Sequence, residues 1–194
     1  MGLGLLIAGL ALFIGGHLFT TMRQSRAAVV ARLGPRRYQI LYSLVAAAGI
    51  ALIAYGFGLY RGKGWIDVWY PSETARQAAI WLMFPALVLI VASYIRGTIY
   101  TTLRHPMMIG TAVFALAHML ANGDLGSIVL FGALLGWVLV DLWTLRFRTD
   151  PGAPPMPVGG FGNDLIAVVV GAIVYLALAL VFHPVVIGVS VFGG

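Results

Sequence analysis

Six apolar runs, each near the length needed to cross a lipid bilayer, dominate this chain: Leu3–Met22, Tyr38–Tyr60, Ala75–Ile95, Pro106–Ala121, Gly126–Leu145 and Leu165–Phe182. A helix needs about 20 apolar residues to traverse the hydrocarbon core. Lipid offers no partner to a backbone N–H or C=O, so such runs close their hydrogen bonds within themselves, as helices. The expected fold class is all-α, a polytopic membrane helix bundle of about six transmembrane helices, forming a single integral membrane domain over 1–194. Only 9% of the residues are charged, against roughly 25% in soluble domains. The first run lacks a basic stretch before it and a small-x-small cleavage site after it, so it is expected to be a span and not a signal peptide.

The loops set the orientation. Arg23, Arg26, Arg32, Arg36, Arg37, Arg96, Arg104, Arg146 and Arg148 fall in the first, third and fifth loops, whereas Arg61, Lys63 and Arg76 fall on the other side with Asp67 and Glu73. Basic loops stay in the cytoplasm. The first, third and fifth loops are therefore expected in the cytoplasm, with both termini outside. The net charge of +6 resides in these short loops and does not suggest nucleic acid as a partner. Trp65, Trp69 and Tyr70 suit an outer interfacial belt, carried on a short surface helix. The stretch Asp150–Asp164, rich in Pro and Gly, is expected to be irregular. Gly132 and Gly136 form a Gly-xxx-Gly pair of the kind that lets helices approach closely. Gly15 and Gly16 could do the same, or clear space for a flat macrocycle beside His17.

Cys is absent, which excludes disulfides, thiolate metal sites and covalent c-type haem. The candidate chemistry therefore rests on four histidines: His17, His105, His118 and His183. An idle polar ring is costly in lipid, and neutral imidazole is a common metal ligand. Haem b needs one or two axial nitrogens, an apolar slot and basic groups for its propionates. A zinc centre would need three or four of these histidines to converge. His105 and His118 are thirteen residues apart, about 20 Å along one helix, so they cannot share an iron. Depth in the membrane pairs His17 with His105 and His118 with His183.

Each ring also has an ordinary reading. His105 stands before Pro106 and suits an N-cap, where with Arg104 it could bind a phosphate, a propionate or a metal. His17 and His118 could be satisfied by backbone carbonyls, and His183–Pro184 could simply end a span. Asp141 could pair with Arg146 or Arg104, or serve a proton relay. Arg26, Arg36, Arg37 and Tyr38 suit snorkelling topology signals, and are also placed to hold propionates near His17. Asn122–Gly123–Asp124 reads as a tight outer turn. Asn122 is counted with Arg26, Arg37, Tyr38 and Arg104 as the cofactor-binding set, and His17, His118 and His105 as the metal set.

Three stretches resemble the NnrU family of bacterial membrane proteins, relatives of the plant 15-cis-zeta-carotene isomerase. They are His17 followed by a basic loop and LGPRRYQILYSL (with Arg26, Gly34, Arg37, Tyr38, Tyr42 and Ser43), then RHPMMIG at 104–110, and AHMLANGDLGSIVLFG at 117–132. The resemblance covers most of the chain. It implies haem b, one or two, with ligands at His17 and His118 and the RHP histidine at His105. It also implies redox or cis–trans isomerase chemistry on a small or lipid-soluble ligand, linked to nitrite and nitric oxide reduction or to polyene isomerisation.

RHPMMIG is similar as well to a stretch of membrane methyltransferases that bind S-adenosylmethionine. Those use a glutamate in a C-terminal helix, and here the only Glu is Glu73. A third reading is a non-catalytic factor that delivers haem to, or assembles, a respiratory reductase, as an oligomer or as a partner of that complex.

Overall fold

The computed structural model describes residues 1–147 and 156–192. Among them the helices are α1 (Gly2–Thr21), α2 (Arg23–Leu33), α3 (Pro35–Lys63), α4 (Glu73–Ala92), α5 (Thr98–Leu103), α6 (Pro106–Ala121), α7 (Leu125–Leu145) and α8 (Phe161–Ala177), which runs on as a π-helix over Leu178–Ile187. α1, α3, α4, α7 and α8 with its extension are long and apolar enough to cross a membrane, and α6 is a shorter apolar helix. The chain is a polytopic helical membrane bundle.

Local chemistry sets the helix ends. Pro35 and Pro106 open α3 and α6, where the missing N–H would have no helical partner anyway. Gly34, at φ 79°, makes the break before Pro35. The Ser72 hydroxyl accepts from Ala75 N–H at 3.2 Å and caps α4; Asp124 accepts from Ser127 N–H at 2.9 Å and caps α7.

Four expectations change. The first basic loop is largely helical, because Arg23–Leu33 holds no Gly or Pro and is rich in helix formers. A short helix, α5, precedes the RHP stretch. The surface helix expected near Trp65–Tyr70 is instead extended chain. Val68 and Trp69 N–H both donate to Gly123 O (2.9 and 3.0 Å), and Leu125 N–H donates to Ile66 O (2.9 Å). A Cβ at Gly123 would overlap Trp69 O, so that approach requires glycine. Finally, of the irregular stretch expected over Asp150–Asp164, residues 150–155 lie outside the described residues and 156–160 are non-helical, but Phe161–Asp164 are the first turn of α8. Past Pro157 nothing breaks the helix, and Asp164 suits its positive end.

The helices sort into two compact units. In the first, α1 packs on α3 and also on α7. Gly2 and Gly9 of α1 and Gly49 and Gly56 of α3, each pair seven residues apart, mark the seam. A Cβ at Gly9 would stand 2.6 Å from Ile53 N, and one at Gly56 would overlap Leu6 N. Glycine is what lets helices in lipid gain van der Waals contact at this range. The Gly-xxx-Gly pair singled out in the sequence makes no such seam. At Gly132 and Gly136 a Cβ would meet nothing within 4 Å among the described residues.

In the second unit, α4 packs on α6 and α8. Gly110 of α6 lies against Ala86 and Gly171 of α8 against Val88. A Cβ added at Gly110 would stand 2.7 Å from Ala86 O, and one at Gly171 2.8 Å from Val88 Cγ2. Asp164 ties α8 to α5: its carboxylate accepts from Thr98 N–H and Ile99 N–H, both at 3.0 Å, and from the Thr98 hydroxyl. In the second unit the buried residues are mostly small, and in both units large apolar residues such as Ile40, Leu44, Trp81, Leu165 and Val185 are exposed. That inverts a soluble core and suits helices whose outer faces meet lipid.

Candidate functional site

The first unit places His17 near the end of α1, inside a set of aromatic rings. Its Nδ1–H donates to Phe13 O, one turn back, at 2.7 Å. The imidazole lies 4.2 Å from the Phe13 ring, 4.9 Å from Trp137 of α7 and 5.5 Å from Tyr42 of α3, centroid to centroid. Tyr38 lies one turn before Tyr42, with near-parallel rings 6.3 Å apart. The Arg26 guanidinium carbon sits 5.6 Å from the Tyr38 ring centre. The tight α1–α3 seam relaxes here: a Cβ at Gly16 would make only an ordinary 3.6 Å contact with Val45, and one at the exposed Gly15 would meet nothing within 4 Å among the described residues.

Two polar atoms of this cluster are buried without a hydrogen-bond partner among the described residues: the Tyr38 hydroxyl and Trp137 Nε1. Buried donors nearly always find a partner, and an exception calls for an explanation such as a ligand. With Nδ1 acting as donor, the lone pair of His17 resides on Nε2. Such bonding of the far nitrogen fixes the tautomer and orientation of metal-ligating histidines.

The second unit repeats part of this arrangement. His118 Nδ1–H donates to Phe114 O at 2.9 Å, and the two rings are 4.2 Å apart. Phe13–His17 and Phe114–His118 share the spacing of four, the carbonyl bond, the ring separation and nearly the same tilt, 41° and 39°. His118 also lies near His183 of the π-helical segment: centroids 6.4 Å apart, planes 24° from parallel. His183 Nδ1–H donates to Leu178 O at 2.9 Å, five residues back. Membrane depth pairs these two residues in the sequence, and they are neighbours in the fold. His183 does not end its helix, which continues through Pro184 to Ile187.

His105 sits at the N-terminus of α6, where its carbonyl accepts from Ile109 N–H at 3.2 Å. It is separated from His118 by nearly the whole of α6. Arg104 is exposed and holds a left-handed backbone, φ 61°, at the end of α5. Asn122 follows α6 directly and is half-buried. Arg36 and Arg37 are exposed. Asp141 is buried, with its carbonyl accepting from the Thr144 hydroxyl. Among the described residues no three His, Cys, Asp or Glu side chains converge on a possible metal position.

Sequence reasoning did not single out Trp137 or the two phenylalanines. The phenylalanines had a signal, the Phe-x-x-x-His spacing in FIGGH and FALAH. Trp137 had none, since its approach to His17 depends on how α7 packs against α1.

The family model described as NnrU protein matches residues 5–191. The chain belongs to the NnrU family. No curated protein and no solved structure matches it. In NnrU terms, the match spans both Phe-x-x-x-His histidines, the RHP stretch and His183.

Proposed function

We propose that this NnrU-family chain is an integral membrane haem b-binding protein with redox or cis–trans isomerase chemistry on a small or lipid-soluble ligand. That chemistry belongs either to nitrite and nitric oxide reduction or to polyene isomerisation. His17 and His118 would each serve as a haem ligand within their own unit, with His105 as the alternate.

The observation that carries this reading is the recurrence of one histidine arrangement, at His17 and again at His118. In each, the ring lies against a phenylalanine one turn back and Nδ1 is tied to that residue's carbonyl. A carbonyl bond alone would satisfy one nitrogen of an idle ring. The same bond makes Nδ1 the donor, so at both positions, each in an apolar helix, the lone pair falls on Nε2, the nitrogen a metal would take.

The cluster around His17 fits a porphyrin. Phe13, Tyr42 and Trp137 provide flat apolar walls. The unpartnered Tyr38 hydroxyl and Trp137 Nε1 are donors suited to an oxygen-bearing edge group, and Arg26 brings a positive charge close by. Charge-assisted bonds from such groups to carboxylates are the strong kind. Bound haem would supply one-electron chemistry or a Lewis-acidic iron. The protein's part is to hold the ring, fix the imidazole tautomer and keep water from the apolar site.

The test is an absorption spectrum of protein purified after expression with ample haem, oxidised and reduced. A Soret band that weakens, or changes spin state, in His17→Ala and in His118→Ala is the expected result. A colourless protein overturns the reading.

A further inference from the structure

We infer that His183 completes a two-imidazole metal site with His118 in the second unit. This rests on the haem reading for His118 and assigns its partner. The two rings have centroids 6.4 Å apart and planes within 24° of parallel. Two imidazoles on opposite sides of one metal, with metal–nitrogen bonds of ~2.0–2.1 Å, have centroids roughly 6 Å apart. Both Nδ1–H groups are committed to carbonyls of their own helices, Phe114 O and Leu178 O, each at 2.9 Å. Both lone pairs therefore reside on Nε2, the usual metal-binding nitrogen of a second-shell-anchored histidine.

The backbone supplies an independent reason. His183 lies in the π-helical stretch Leu178–Ile187, and its ring bonds a carbonyl five residues back, where His17 and His118 reach four. Each residue inserted into a helix rotates the rest of that helix by about 100°. The widened register therefore aims His183 where a regular helix would not. Such π segments are frequent at functional sites. Two imidazoles are too few for a closed tetrahedral ion. They are enough for a metal whose other positions are filled by a macrocycle, which makes an iron porphyrin the ligand class.

The test loads the full chain in detergent with hemin and reads spin state and haem-to-protein ratio. His183→Gln keeps a neutral hydrogen-bonding side chain but no imidazole. It should lose the six-coordinate low-spin component that depends on His118, and added imidazole should restore it. His183→Met should move the spectrum toward a histidine–methionine type. A Gln variant with the spectrum and haem content of the parent overturns the inference and leaves the haem reading standing. Should the Gln variant fail to fold, a Met variant with an unchanged bis-histidine spectrum overturns it equally. A parent that binds no hemin removes both.

Discussion

His17 and His118 are the same local device set in different company. Each is a Phe-x-x-x-His turn with rings 4.2 Å apart and Nδ1 tied to the phenylalanine carbonyl. Around His17 stand Tyr42 and Trp137, with two buried donors that lack partners among the described residues. Beside His118 stands another imidazole. The turn fixes the tautomer and leaves the rest of the coordination to whatever the neighbouring helices bring. Aromatic walls and hydrogen-bond donors suit the face and edge of a large ligand. A facing imidazole suits its metal.

The sharpest break of this comparison is to delete one ring at a time. His17→Ala and His118→Ala should each remove most of the haem-dependent absorbance or change its coordination, whereas Phe13→Leu and Phe114→Leu should leave it largely in place. Absorbance per protein checks this. Equal, parent-like spectra for both alanine variants would end the parallel between the two sites.

The next effect separates the sites. Trp137→Phe and Tyr38→Phe should weaken haem retention, because each removes a donor suited to an ionised group, a bond worth about 1.5–3 kcal/mol. Neither should lower the thermal stability of haem-free protein, because neither donor has a protein partner among the described residues. Haem transfer to apomyoglobin measures the first and detergent thermal scans the second.

A third comparison sets the α1–α3 seam against a glycine pair outside it. Gly56→Leu drives a side chain into the backbone at Leu6 and should destabilise the protein by about 1–3 kcal/mol. Gly132→Ala, with nothing within 4 Å among the described residues, should be neutral or stabilise by up to about 1 kcal/mol through helix propensity. Melting curves of the two variants decide it.

The smallest effect expected is at the cap of α7. Asp124→Ala removes the acceptor for Ser127 N–H and should destabilise by about 0.5–2 kcal/mol. Asp124→Asn keeps that acceptor while removing a carboxylate whose Oδ2 is buried without a partner among the described residues, so it should be no less stable than the parent.

The fold was largely legible because a bilayer makes apolar length and helix nearly synonymous. All six apolar runs are helical, with ends displaced by a few residues where Pro35, Gly160 or the π-helical extension acts. The misreadings share a cause. Arg23–Leu33 and Trp65–Tyr70 are polar or interfacial, so the lipid constraint does not reach them and local chemistry decides. Gly132 and Gly136 carried the familiar spacing, yet the close approach occurs at Gly2, Gly9, Gly49 and Gly56. Spacing shows which residues share a helix face, not which face meets a neighbour.

The candidate site divides along the same line. The sequence by itself determined the spans and the two histidines four residues after a phenylalanine, because the helical repeat makes that pairing local. Only the tertiary structure decided that Trp137 and Tyr42 surround one ring, and it turned the depth pairing of His118 with His183 into a contact at 6.4 Å. Lipid is as apolar as the helices themselves, so hydrophobicity does not choose between faces, and close glycine contacts and a widened helical turn make that choice.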